Sequence, residues 1–166
     1  MGRVVSGAAV WVPAHERPVR WAGQAAMLMP HKTALQNVAM GGGLRETLDA
    51  VRHFDLGDVW GKRPGELSGG QSQMVSVIRA AAGARGRILL LDEPFAGLDA
   101  KVRDELIVNL RSWLGDTPVV SVTHDVGEAF LLGAEVVRIA EGRVVAQGPV
   151  GEVLAEERKR LLGVLA

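Results

Sequence analysis

Two short apolar runs, each ending in ionisable or polar residues, constrain this chain most. Arg87-Ile88-Leu89-Leu90-Leu91-Asp92 is continuous and ends in a carboxylate, and Val119-Val120-Ser121-Val122-Thr123 is a second run of the same kind. Unbroken hydrophobicity over so few residues marks strands buried on both faces, as in parallel sheets. Between the runs, residues 100–115 place Val102, Leu106, Leu110 and Leu114 at i+4 steps, which predicts an amphipathic helix. Another helix is expected near 125–132. Val136–Ile139 and Arg143–Ala146 flank Glu141-Gly142 as a hairpin, and residues 149–163 read as a charged helix. Strand, helix, strand, helix in this order predicts an α/β fold whose parallel sheet is covered on both faces.

The first half is less regular. Val4-Val5 and Ala9-Val10-Trp11-Val12 are small strand-like pieces within residues 1–23, separated by Gly and Pro. Met27 to Met40 has a helix-favouring composition, stopped by Gly41-Gly42-Gly43. Leu44, Leu48, Val51 and Phe54 are spaced for one face of a helix over 44–54, and Ser68 is a candidate N-cap for a helix over 69–83.

Composition removes several function classes. The 166 residues suit one domain, and 19 Lys plus Arg balance 19 Asp plus Glu at a pI near 6.9. That balance exerts no general pull on a polyanion and argues against a nucleic-acid partner. With no cysteine there is no disulfide framework, thiolate nucleophile or Cys-ligated zinc, which fits the cytosol. No apolar run reaches the ~18 residues of a membrane span, and the first residues lack a signal-peptide pattern. Gly2 is read as coincidence rather than a myristoylation site. The 21 glycines point to loops in which backbone approaches something closely.

Three local patterns carry chemistry. Leu67-Ser68-Gly69-Gly70-Gln71 opens a predicted helix, whose free N–H groups attract phosphate; an ordinary capped turn explains these five residues equally well on their own. Ile88–Pro94 brings Asp92 and Glu93 to the C-terminal edge of the sheet, where ligands sit in open α/β folds. Asp92 suits Mg²⁺, which takes few carboxylates, and Glu93 suits a base acting on the water that attacks a γ-phosphate. His124, in Thr123-His124-Asp125, ends the neighbouring strand and is placed for the same phosphate, although a lone histidine there is commonly only structural.

Taken together, Leu67–Gln71, Leu91–Pro94, Gly97-Leu98-Asp99 and Thr123-His124-Asp125 resemble the signature, Walker B, D-loop and H-loop motifs of ATP-binding-cassette (ABC) transporter subunits. Gln24–His31 resembles the Q-loop segment of importers, and Asn37–Gly41 and Glu141–Gly148 continue the likeness. The resemblance implies an α/β P-loop NTPase (RecA-like) lobe, truncated at its N-terminus, over 1–31 and 86–166, with a helical subdomain inserted at 32–85. It also implies a head-to-tail dimer with a second ATP-binding subunit, ATP being sandwiched between the two. On that basis Asp92 and Gln24 serve Mg²⁺, Glu93 is the catalytic base and His124 meets the γ-phosphate. Ser68, Gly69, Gly70 and Gln71 grip the partner's ATP, Asp99 lies across the seam, and Gln24 couples to a transmembrane permease. Met27, Leu28 and Met29 are read either as part of that permease contact or as a core stripe. A solute-binding protein is an indirect partner, and the location implied is cytoplasmic, peripheral on the membrane through the permease.

The resemblance also marks an omission. No G-x-x-x-x-G-K-[ST] run occurs; among four lysines only Lys62 follows a glycine, and Gly57–Arg63 has the wrong spacing and Arg63 where Ser or Thr belongs. The family places its P-loop upstream of the part resembling Gly2–Gln24. A truncated gene model, a fragment or pseudogene, and a chain completed by another polypeptide are the explanations in view. The chain is expected to bind ATP weakly alone, not to turn it over measurably, and to expose strand edges and apolar faces with marginal stability. Met74 stands where the family has arginine and Gly23 where it has an aromatic or apolar residue, while Arg79 matches a more distal arginine. The reading is an ATP-hydrolysing subunit of an ABC importer; the alternative is a non-catalytic module that lends its Ser68–Gly70 edge to an intact partner.

Overall fold

Strand β1 (Ser6–Gly7) pairs antiparallel with β2 (Val10–Trp11), and the first strand of the main sheet is β3 (Val19–Ala22). The computed structural model describes residues 5–7, 10–133 and 135–164, so Val4 and Ala9 of the expected strand pieces lie outside the described residues. From β3 to the next strand the chain is helical: α1 (Ala34–Ala39), α2 (Leu44–Phe54) and α3 (Gly69–Ala82), with 3₁₀ turns at Gly57–Gly61 and Pro64–Glu66. Then come β4 (Ile88–Asp92), α4 (Ala100–Leu114), β5 (Val119–Val122) and α5 (Val126–Leu132). A hairpin of β6 (Glu135–Ala140) and β7 (Arg143–Pro149) precedes α6 (Val150–Val153) and α7 (Ala155–Val164).

The main sheet is parallel in the order β3-β4-β5, with Ala22 opposite Leu91 and Asp92 opposite Val122. Its two faces differ. Leu89 and Leu91 point into the core shared with Ile78 of α3 and Ile107 and Leu110 of α4. Trp21, Leu90 and Val120 share the other face by register, and there Trp21, Ile88, Val120 and Val122 are exposed. Among the described residues the sheet is therefore covered on one face, not on both as the apolar runs predict. Continuous hydrophobicity reports that both faces favour burial but not that both are buried here.

The helices correct the sequence reading in three places. Met27–Thr33 is a loop, because Pro30 interrupts it and Thr33 caps α1 instead: Thr33 Oγ1 accepts from Gln36 N–H at 3.3 Å, and Gln36 Oε1 accepts from Thr33 N–H at 3.0 Å. Buried Asn37 then fastens the loop, accepting from Met29 N–H at 2.8 Å and donating to the carbonyls of Met29, Lys32 and Thr33. In α2 the bounds agree, but of the four residues expected on its inner face only Val51 and Phe54 meet the core. Thr47, Ala50 and Phe54 are buried and Val51 packs on the core, whereas Leu44 is 77% exposed and Leu48 is exposed beside it, so α2 meets α3 and α4 through its Thr47, Ala50 and Phe54 side. Glu141 and Gly142, at φ 50° and 73°, form the two-residue hairpin turn expected of them. The 149–163 segment is two helices divided at Leu154.

Candidate functional site

The parallel register decides which side chains meet. Ala22 and Leu91 are paired, so Gln24 and Glu93 both lie just beyond the C-terminal ends of β3 and β4; Asp92 pairs with Val122, two residues before His124. Glu93 N–H donates to Val122 O at 2.9 Å, which continues the ladder past the strand. Glu93 then adopts φ 47°, in the left-handed region, immediately before Pro94. That region costs a non-glycine residue on the order of 1 kcal/mol and persists only where surrounding contacts enforce it. Here it turns the carboxylate toward β5.

Glu93 Oε1 lies 2.8 Å from His124 Nδ1. Hydrogen bonding and charge attraction from Glu93 raise the His124 pKa above the ordinary imidazole value, with smaller contributions from Glu128 and Asp125. The His124 side chain is 84% exposed while Glu93 is mostly covered, so the imidazole presents its outer nitrogen to solvent. A carboxylate and an imidazole thus share one spot at the sheet edge.

Two residues passed over in the sequence hold this spot in place. Buried Gln73 of α3 donates through Nε2 to Gly23 O and to Pro94 O, both at 3.0 Å, joining the start of the Gln24 loop to the turn after Glu93. Its sequence signal is a glutamine at i−4 to buried Val77, inside the apolar stripe of α3. Buried Glu128 accepts from Thr123 Oγ1 at 2.6 Å, while Thr123 Oγ1 accepts from Asp125 N–H at 3.0 Å. Asp125 caps α5 by accepting from Glu128 N–H and is paired with Arg103 at 2.9 Å. Burial pushes the Glu128 carboxyl above its ordinary value, against the lowering effect of the Thr123 hydrogen bond. Together these contacts fix the two residues on either side of His124.

Ser68 and Gln71 form a capping box at the start of α3: Ser68 Oγ accepts from Gln71 N–H at 3.1 Å, and Gln71 Oε1 accepts from Ser68 N–H at 3.0 Å. The box uses the amide oxygen of Gln71 internally. It leaves the N–H groups of Gly69 and Gly70 and the Ser68 hydroxyl proton directed outward. A Cβ on Gly69 would meet nothing within 4 Å, whereas one on Gly70 would come within 3.1 Å of Leu98 Cδ2. The tip therefore abuts the Gly97-Leu98-Asp99 turn of its own chain. Asp99 is occupied as the N-cap of α4, its Oδ1 accepting from Lys101 N–H at 3.0 Å.

Asp92 and Gln24 are exposed. Among the described residues no group of three or more His, Asp or Glu side chains gathers as a metal cage. One carboxylate and one amide at an open edge fit Mg²⁺, which draws most of its ligands from phosphate oxygens and water. Gly23, buried, has the Trp21 ring over it: a Cβ there would lie 2.5 Å from the indole. The tryptophan supplies the bulk that Gly23 lacks. Arg79 donates to Met27 O at 2.7 Å, and burial lowers its pKa from the ordinary guanidinium value. Met27 and Met29 are exposed and Leu28 packs on the core, so no continuous core stripe runs through the three.

A family model described as ABC transporter matches residues 3–96. The chain is 40% identical over 162 residues to a molybdenum import ATP-binding protein of Methylococcus capsulatus, covering 93% of this chain and 45% of that protein. It is 40% identical over 145 residues to a spermidine/putrescine import ATP-binding protein of Pseudomonas aeruginosa (80% and 39% covered) and 39% identical over 163 residues to an Fe(3+) ions import ATP-binding protein of Streptomyces coelicolor (92% and 45%). The chain thus spans less than half the length of these curated relatives. Among solved structures, a dimeric ATP-binding cassette bound to ADP and Pi superposes with a TM-score of 0.68 at 27% identity, covering 81% of this chain and 63% of that one. No helix among the described residues is long and apolar enough to cross a membrane.

Proposed function

The chain belongs to the ABC transporter family, and from that premise we propose that it carries the γ-phosphate half of an importer ATPase, one that hydrolyses ATP to drive uptake of a small solute. The observation that carries this reading is the 2.8 Å contact between Glu93 and His124 at the edge that also holds Asp92 and Gln24. In it, Glu93 takes the proton of the attacking water and His124 donates from its outer nitrogen to the γ-phosphate. Asp92 and Gln24 would hold Mg²⁺, which supplies charge neutralisation at the phosphates. The free amides of Gly69 and Gly70 with the Ser68 hydroxyl grip the nucleotide of a second ATP-binding subunit set head to tail, with Asp99 at the seam. Gln71 acts through the capping box, in which its side-chain oxygen accepts from Ser68 N–H.

The plan that serves this reading is a sheet lobe over 1–31 and 86–166 with a helical insertion over 32–85. The Gln24 loop and exposed Met27 and Met29 face a transmembrane permease, methionine adapting to an irregular surface. The subunit then lies on the cytoplasmic side of the membrane, with a solute-binding protein reaching it only through the permease. The import ATP-binding relatives support that class of partner, and they differ among themselves in cargo.

Because the 166 residues contain no G-x-x-x-x-G-K-[ST] run, they supply no amide-and-lysine cradle for the β-phosphate. The chain alone is therefore expected to bind Mg-ATP poorly. The test is to join to this chain the segment of the Methylococcus relative that precedes its matched 162 residues and follow phosphate release. Mg²⁺-dependent hydrolysis by the fusion supports the reading, and an inert but folded fusion refutes it. The intact capping box and open Gly69 favour a second reading, a non-catalytic module completing a partner's site. Stimulation of a cassette lacking its own signature serine by the unfused chain, lost in Ser68→Arg, supports that module; no stimulation excludes it.

A further inference from the structure

At the opposite ends of the same strands lies a cleft of about 800 Å³, formed where the chain enters β3 and β4 and where α3 ends. Its walls carry four guanidiniums, from Arg17, Arg20, Arg85 and Arg87, against the carboxylates of Glu16 and Glu46. None of the four arginines pairs with a carboxylate among the described residues, and Glu16 has His15 as its partner at 3.6 Å. In a chain of zero net charge this is a local excess of cations, not a share of general basicity.

The cleft is shaped by backbone rather than side chains. A Cβ at Gly83 would fall 1.9 Å from Gly41 O, and one at Gly41 would fall 1.8 Å from Arg79 O, so the Gly41–Gly43 turn lies directly on the end of α3. Arg20 Nε and Arg87 Nη1 both donate to Gly83 O, at 3.2 and 2.8 Å. Capping of a helix C-terminus accounts for those two contacts and offsets the negative end of the helix. It does not account for Arg17, which is held by Val12 O at 2.8 Å and stacks over Trp11, or for exposed Arg85. Burial and, less strongly, the charge of Arg87 lower the pKa of Arg20.

We propose that this cleft binds a compact polyvalent oxyanion, a small molecule bearing two or more phosphate or carboxylate groups. Guanidinium forks match both groups in a bidentate manner, and several cations in one concavity favour multiple over single charge. A cleft of about 800 Å³ lies within the size range of small-molecule sites. The proposal goes beyond the nucleotide reading and shares no residue with it.

Isothermal titration of the 166-residue chain with sodium pyrophosphate, citrate and acetate tests it. Saturable one-to-one binding of pyrophosphate or citrate is expected, with acetate without effect. Pyrophosphate alone identifies phosphate as the source, and citrate alone identifies carboxylate. In Arg17→Gln/Arg85→Gln, which leaves both contacts to Gly83 O intact, affinity should fall about tenfold or more. Should that variant unfold by circular dichroism, Arg85→Gln at its exposed loop position is used, with a loss of about threefold. No binding by either polyanion, equal binding of acetate, or unchanged affinity in the arginine variant that folds overturns the proposal.

Discussion

Leu89 and Val120 lie on neighbouring strands of one sheet, yet Leu89 is fully buried and Val120 is 55% exposed. Leu89 belongs to the face that α3 and α4 cover, and Val120 to the face left open. The contrast divides the candidate site by the support beneath it. Asp92 and Glu93 end β4, the central strand, which has a neighbour on each side and α3 and α4 behind it. His124 follows β5, which among the described residues pairs with β4 alone, and is held by local polar contacts from Thr123, Asp125, Glu128 and Arg103. One half of the Glu93–His124 pair is held by packing and the other by hydrogen bonds.

Mutations on the two sides should separate these supports. Leu89→Ala is expected to cost about 3 kcal/mol in urea unfolding, because the cavity forms in the covered core. A loss below about 1 kcal/mol would mean that this face is no better packed than the other. Gln73→Leu removes the donor shared by Gly23 O and Pro94 O and should cost about 2 kcal/mol by the same method. An unchanged midpoint would show that the joint between the Gln24 loop and the Glu93 turn bears no load. Asp125→Ala deletes a helix cap and an ion pair and should cost about 1 kcal/mol. Val120→Thr on the open face should change stability by less than about 0.5 kcal/mol and raise solubility.

The His124 half also makes a pH prediction. Glu93 raises the folded-state pKa of His124 above the unfolded value near 6.5. The pair therefore adds its full stabilisation below about pH 6.5 and loses it as pH rises through the higher folded pKa. A ¹H–¹⁵N titration of the imidazole should show that raised value, and Glu93→Gln should return it toward 6.5. A His124 titration insensitive to Glu93→Gln would dissolve the pair.

What the sequence discloses follows the range of the interactions involved. The Glu141-Gly142 hairpin and the Ser68 cap of α3 are legible because their geometry is settled by residues within one turn. The convergence of Asp92, Glu93 and His124 on one edge is legible because both apolar runs enter the same parallel sheet. The Met27–Thr33 loop escapes a compositional reading, since Asn37 fastens it from within α1. Gln73 escapes for a stronger reason: its two acceptors lie 50 and 21 residues away, and nothing local distinguishes a buried donor from a solvated one. The open sheet face escapes because burial depends on what lies against a strand, not on the strand alone.

The central claim is that Glu93, positioned by the turn before Pro94, acts on the water attacking ATP. The most direct measurement is steady-state phosphate release by the fusion carrying the segment of the relative that precedes its matched residues, with and without Glu93→Gln. The account predicts a fall in kcat of about 100-fold or more, with Mg-ATP affinity retained. A Glu93→Gln fusion that hydrolyses ATP at the unmodified rate would contradict it.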